Sequence, residues 1–345
     1  MDKHKLIGKR IINLDGEHGE VSAIDEEGRI IVRYGGRATT YVGDVFEKGL
    51  LIFENEVDNQ RIRLARVNKM RLEKIREMDM SLKDLNSLVG LTSIKQLVND
   101  LVYQISTSNL REAFGLRCPE ITKHMVFMGN PGTGKTTVAR IIARIYRTLG
   151  ILSKGHLVEV DRSMLVAGYQ GQTAMKTKEV VSRAIGGVLF IDEAYSLCRD
   201  SDDDFGYEAL DTLTKEIEDH RHDMVVIVAG YSHEMNKFLR ANPGLASRFK
   251  TIIDFEDYSG EELYEILTNL VKEYDYSLSE EAAEMVKNYF KKNNGFEGNG
   301  RGVRNLFEEM IRYQARRIHD AKNVTKKLLV TIEAQDLKGI RNMAC

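Results

Sequence analysis

The chain has 345 residues, of which 42% are apolar and 30% charged, and a formal net charge of −2. That length allows two or three domains, and that balance fits a soluble globular protein with no bulk attraction to nucleic acid or to an anionic membrane. The three cysteines, Cys118, Cys198 and Cys345, lie far apart and exclude a disulfide framework or a cysteine-rich metal site.

The opening Met1-Asp2-Lys3-His4-Lys5 is unlike a signal peptide. No apolar run approaches the roughly 18 residues of a membrane span, so the expected compartment is the reducing cytoplasm. Residues 1–58 read as short strands over 9–13, 20–25, 29–34, 37–41 and 50–53. Gly35-Gly36 forms a two-residue hairpin signal between the third and fourth. Five short strands in so few residues predict a small β-barrel of the SH3 or Tudor kind. This segment carries 8 Lys and Arg against 12 Asp and Glu, which argues against a reader of phosphate backbones. Residues 59–84 follow as a linker, basic and helical over 59–79. From 82 to 116 the helical pattern continues around Val89-Gly90-Leu91, with apolar spacing at Ile94, Leu97, Val98, Leu101 and Val102.

An apolar run over 124–128 then reads as a strand leading into Gly129-Asn130-Pro131-Gly132-Thr133-Gly134-Lys135-Thr136, which fits G-x-x-x-x-G-K-[ST] at every fixed position. A helical pattern opens immediately after it. Glycines let backbone N–H groups wrap a phosphate chain, and a helix N-terminus adds partial positive charge. Lys135 can reach the β and γ phosphates, and the Thr136 hydroxyl can ligate Mg²⁺. Beyond a buried-strand pattern at 156–160 and Asp161 come Gly168-Tyr169-Gln170-Gly171 and a helix over 173–185. Then Val188-Leu189-Phe190-Ile191-Asp192-Glu193 describes a buried parallel strand ending in two carboxylates. Asp192 is placed to hold Mg²⁺ through water, and Glu193 to orient and deprotonate the attacking water. Further alternation follows: a helix over 207–220, a strand over 224–229, a helix over 233–241 and a strand over 251–255. This predicts a mainly parallel sheet with helices on both faces. His220 and His222 sit in a charged run that reads as a solvated turn.

From Ser259 the periodicity is helical. Ser259-x-x-Glu262 is a capping box. Three amphipathic faces follow, through Leu263, Ala282 and Val303, then a short strand at 328–332 and a last helix near 334–339.

The ordered motifs resemble those of the AAA+ ATPases, and within them the CbxX/CfxQ group, which includes stage V sporulation protein K and the red-type Rubisco activases. The resemblance spans about residues 85–340. It rests on the phosphate loop continuing through Thr137-Val138-Ala139-Arg140, on Gly168-Tyr169-Gln170-Gly171-Gln172-Thr173, and on Phe190-Ile191-Asp192-Glu193-Ala194-Tyr195-Ser196-Leu197. It also rests on Val228-Ala229-Gly230-Tyr231, on Asn242-Pro243-Gly244-Leu245 with Ser247-Arg248-Phe249, and on Gly298-Asn299-Gly300-Arg301-Gly302-Val303-Arg304-Asn305. It implies a nucleotide-binding α/β domain over 85–257 and a helical lid over 258–345. It implies ATP and Mg²⁺ as ligands, with Val89, Gly90 and Leu91 packing on adenine and Asn130 to Thr137 around the phosphates. Arg248 matches an arginine finger offered to the neighbouring subunit. Arg301 matches the second sensor, with Arg304 close enough to compete for that role. Tyr169, Gln170 and Gly171 match a loop lining a central pore. Where many AAA+ proteins place an asparagine as the first sensor, this chain has Gly230-Tyr231. The implied function is a homo-oligomeric, hexameric ring that hydrolyses ATP to remodel an unidentified protein client. The alternatives are a slow nucleotide-gated scaffold and an AAA+ protein associated with nucleic acid.

Overall fold

The computed structural model describes residues 6–13, 17–42, 45, 51–53, 78, 80–119, 122–169, 171–198, 204–292, 296–319, 321 and 323–337. The chain separates into two compact units, one of Met1–Met80 with Ser106–Cys118 and one of Ser81–Ile105 with Pro119–Cys345.

In the first unit, β1 (Arg10–Asn13), β2 (His18–Ile24), β3 (Ile30–Tyr34), β4 (Arg37–Tyr41) and β5 (Leu51–Phe53) form an antiparallel sheet in the order β4-β3-β2-β1-β5. Gly35, in the left-handed region at φ 57°, turns β3 into β4 directly after the Tyr34–Arg37 pair. This is the conformation a two-residue hairpin requires. Ile11, Val21, Ile30, Val32, Tyr34 and Leu51 build its core. The antiparallel strands expected here are present, and among the described residues no ladder joins β4 to β5. The basic segment over 59–77 lies outside the described residues.

The second unit is built on β6 (Met125–Gly129), β7 (Leu157–Val160), β8 (Val188–Ile191), β9 (Val225–Gly230) and β10 (Thr251–Phe255), all parallel, in the order β10-β6-β9-β8-β7. Every residue of β6, β8 and β9 is buried. These strands are almost wholly apolar because helices cover both faces of a parallel sheet. The chain leaves β6, crosses to the far edge at β7, and returns through β8 and β9 before passing over β6 to β10. That reversal opens a crevice at the carboxyl end of β6. Its longer helices among the described residues are α1 (Thr92–Ala113), which belongs to this unit up to Ile105, α2 (Lys135–Thr148), α3 (Gln172–Ala184), α4 (Asp204–Asp219) and α5 (Ser232–Ala241). The helical run expected from 82 to 116 is interrupted. Gly90 and Leu91 take φ of 61° and 54°, which ends one helix before α1 begins.

Among the described residues the lid is built on three long helices, α6 (Gly260–Glu273), α7 (Glu280–Lys292) and α8 (Asn299–His319). Both halves of the capping box are present at Ser259 and Glu262. Leu263, Leu267, Val271, Ala282, Val286, Phe290, Val303, Phe307 and Met310 meet in one core, as the spacing predicts. The strand expected at 328–332 needs correction. Thr325 caps a single helical turn over Lys326–Val330, its hydroxyl accepting the Leu328 N–H, and only Thr331–Ile332 pairs, in parallel, with Ser277–Leu278. Among the described residues no helix is long and apolar enough to cross a membrane.

Candidate active site

The crevice at the end of β6 is a cleft of about 340 Å³ lined by Gly129, Pro131, Gly132, Gly134, Lys135, Thr136, Thr137, Asp192, Glu193, Gly230, Tyr231 and Arg301. Two of the loop's glycines are required by close approach. A Cβ on Gly129 would lie 2.3 Å from the Phe255 carbonyl oxygen, and one on Gly132 would lie 2.1 Å from that of Gly298. Thr133 is fully buried and its hydroxyl donates to the Asn130 carbonyl over 2.8 Å, which holds the loop's curvature. Lys135 opens α2 and donates its Nζ to the carbonyls of Gly129 (2.8 Å) and Asn130 (2.7 Å). Burial pulls this ammonium below its usual range. The Asp192 carboxylate opposes that shift, Arg301 adds to it, and Asp257 opposes it. A cation so desolvated gains most from an incoming phosphate.

Asp192 and Glu193 stand at the tip of β8. Asp192 donates its N–H to the Val160 carbonyl (2.8 Å) and accepts the Glu193 N–H on Oδ1 (3.0 Å). Glu193 takes φ 47°, a left-handed conformation rare outside glycine. The Thr136 hydroxyl lies 3.5 Å from the Glu159 carboxylate, which Arg140 also faces at 3.4 Å. Glu159 is a neighbour of the site that its sequence context does not reveal, because it alternates within an ordinary strand. Thr136 and Asp192 supply one hydroxyl and one carboxylate at the cleft. That sparse oxygen set suits Mg²⁺ held jointly with phosphate, since Mg²⁺ keeps several waters and seldom needs a protein cage. Among the described residues no group of three His, Cys, Asp or Glu is poised for a metal.

A second cleft of about 490 Å³ adjoins the first. It is lined by Ser87, Leu88, Val89, Leu91, Gly132, Gly134, Thr137, Tyr258, Ile266, Asn269, Leu270, Glu273, Gly300, Arg301 and Arg304. Val89 and Leu91 thus line a slot whose walls mix apolar side chains with Asn269, Glu273, Arg301 and Arg304. Gly90 does not line it; a Cβ there would lie 2.1 Å from the Glu262 carboxylate. Arg301 borders both clefts, whereas Arg304 borders only the second. Tyr258, Asn269 and Glu273 join the site from the lid. Helical periodicity alone assigns the neighbouring Ile266 and Leu270 to the lid core.

Arg248 lines neither cleft. Its Nη1 donates to the Gly244 carbonyl (2.7 Å), its Nη2 lies 3.4 Å from Glu218, and its Nε is buried with no acceptor among the described residues. Tyr169 is 73% exposed. Gly171 follows it in the left-handed region at φ 80° with open space around it, at the start of α3, and Gln170 lies outside the described residues. At the end of β9, a Cβ on Gly230 would lie 2.7 Å from the Tyr195 ring, and the Tyr231 ring packs 6.1 Å from that same ring. The tip of β9 therefore reaches the turn after Glu193 through two aromatic rings.

Residues 125–257 match the model of the AAA family, the ATPase family associated with various cellular activities, and residues 259–344 match the AAA lid domain. Stage V sporulation protein K of Bacillus subtilis (strain 168) is 45% identical over 260 residues, which cover 74% of this chain and 81% of that protein. A CfxQ homolog of Galdieria sulphuraria is 44% identical over 255 residues, covering 72% of this chain and 84% of that protein. The crystal structure of the FIGL-1 AAA domain in complex with ADP shares the fold, with a TM-score of 0.53 at 20% identity over 72% of this chain and 80% of that one.

Proposed function

The chain belongs to the AAA+ ATPases, in the group that contains stage V sporulation protein K and the CfxQ proteins, and from that membership we propose that it is a ring-forming motor that spends ATP to pull a segment of a protein client into a central pore. One observation carries the reading. Lys135, Thr136, Asp192, Glu193 and Arg301 line one cleft, while Arg248, half-buried, and Tyr169, exposed, lie outside it in the same unit. That is a site complete for binding and incomplete for fast turnover.

The N–H groups of the loop and of the first turn of α2 receive the phosphates. Lys135 exchanges the Gly129 and Asn130 carbonyls for phosphate oxygens. Thr136 and Asp192 would hold Mg²⁺, whose charge offsets that of the phosphates. Glu193 orients water and takes its proton. Val89 and Leu91 pack on the base, and Arg301, bordering both clefts, senses the γ-phosphate. Arg304 lies on the base side. Arg248 is the group a neighbouring copy would need; such a finger is worth about 10³–10⁵ in rate. An exposed Tyr169 can grip an extended polypeptide by packing on it without sequence specificity.

Replacing Tyr169 with alanine tests the pulling step. Basal ATP hydrolysis should stay within about twofold, whereas its stimulation by an added unfolded polypeptide should be lost. If the variant is stimulated as strongly as the wild type, the pore-loop role is wrong, and a nucleotide-gated scaffold becomes the better account.

A further inference from the structure

The carbonyls of the phosphate loop are fastened to the lid. Asn299, the first residue of α8, is 3% exposed and sits at φ 49°. Its Nδ2 donates to Asp257 Oδ1 (2.8 Å) and to the Pro131 carbonyl (3.4 Å), and its Oδ1 accepts the Tyr258 N–H (2.9 Å). Asn130 of the loop donates its own Nδ2 to the two oxygens of Asp257, at 3.0 and 2.9 Å. The next residues complete the seam. Gly300 N–H donates to the Gly132 carbonyl (3.0 Å), and the Tyr258 hydroxyl donates to the Thr133 carbonyl (3.2 Å). Four consecutive loop residues are thus each bound to 257–258 or 299–300.

Those two positions are mechanically special. Asp257 lies between the end of β10 at Phe255 and the start of α6 at Gly260, where the sheet gives way to the lid. Asn299 lies two residues before Arg301. Few side chains do what Asn299 does. It offers a donor and an acceptor at once on a short stem, and it tolerates the left-handed backbone. We propose that Asn299 is a positioning residue that, with Asp257, locks the phosphate loop to the lid, so that the loop's grip on nucleotide and the placement of Arg301 change together. This rests on the ATPase reading of the cleft and adds to it a coupling between loop and lid.

The test uses the full chain with ADP as the probe, in Asn299→Asp, Asp257→Asn, the double variant and Lys135→Ala. Asn299→Asp keeps the shape and the backbone preference but sets a second carboxylate against Asp257. It should weaken ADP binding roughly tenfold to hundredfold, the size of a lost hydrogen bond to a charged acceptor. The double variant restores a donor facing an acceptor and should recover most of that loss. Asp257→Asn, at an exposed side chain, gives a second reading should Asn299→Asp fold poorly. In the wild type ADP should slow amide exchange in both the loop and the first turn of α8; in Asp257→Asn the slowing should be confined to the loop. The coupling is overturned if Asn299→Asp binds ADP as the wild type does, or if the double variant loses the product of the two single losses. If Lys135→Ala also binds ADP normally, the reading of the cleft itself has failed. If Lys135→Ala loses binding and Asn299→Asp does not, only the coupling has.

Discussion

At the tip of β8, Glu193 holds a strained backbone. A non-glycine residue in the left-handed region costs about 1–2 kcal/mol, and Glu193 stands there at φ 47°. Its neighbours hold it in place. Asp192 accepts its N–H, and its own carbonyl accepts the Ser196 N–H at 2.8 Å. The strain turns the chain sharply at the tip of β8, so that consecutive carboxylates both border the phosphate cleft. Strain of this kind is retained where geometry matters more than local energy. If Glu193 is the proton acceptor proposed above, replacing it with glutamine keeps the size and the turn and removes that acceptor. Nucleotide titration should be unchanged, while steady-state phosphate release falls by at least about a hundredfold. Turnover within a few-fold of wild type would mean that another group accepts the proton.

Among the elements, β6 and β9 are joined by more than their ladder. Just before β6, His124 is buried, and its Nδ1 accepts the Val226 N–H at 3.0 Å, so the ring is neutral there. Its ring packs 5.8 Å from Phe249. Burial, and then the charges of Lys123 and Arg248, push its pKa down to about 4 against the weaker pull of Glu218. The unfolded chain takes up this proton near pH 6.5 and the folded chain only near pH 4. The contribution to stability is therefore complete above pH 6.5 and is lost as pH falls from there towards 4, amounting to about 3 kcal/mol. Replacing His124 with phenylalanine should cost about 1–3 kcal/mol at pH 7, since the Val226 N–H loses its acceptor. The same variant should show a flatter fall in melting temperature between pH 7 and 4.5; parallel profiles would exclude His124 as the source. What the sequence reveals at this scale follows from how local each interaction is. β6, the loop and α2 are legible because the motif needs them contiguous, and the lid faces because their apolar residues recur every three or four positions. The seam at Asp257 is not legible, because its partners Asn130 and Asn299 lie 127 and 42 residues away. Nor is the fact that Arg301 borders both clefts and Arg304 only the second, which depends on where α8 starts against the loop. The single turn after Thr325 is hidden by an apolar run that fits a helix or a strand equally well, and the break at Gly90 and Leu91 by a helical spacing that resumes directly after it.

At the scale of the whole molecule, the question is whether one copy completes another. Arg248 is held by Glu218 at 3.4 Å and by one carbonyl, with 29% of its side chain exposed. An ion pair this open is worth only about 0–1 kcal/mol, so it yields readily to a phosphate presented by a neighbour. If the active site is shared in this way, two inactive variants should rescue each other. Lys135→Ala has a working finger and no usable loop, and Arg248→Ala has a working loop and no finger. Each alone should hydrolyse ATP at a small fraction of the wild-type rate. Mixed in equal amounts before assembly, they place an intact loop against an intact finger at about one interface in four, so activity should recover to on the order of a quarter of wild type. Mixing after assembly should give no such recovery until subunits exchange. If the variants are shown to co-assemble and activity stays at the sum of the two alone, Arg248 acts within its own chain or not in catalysis at all. The shared site, and with it the ring-shaped motor, would then have to be given up in favour of a switch that turns over slowly one chain at a time.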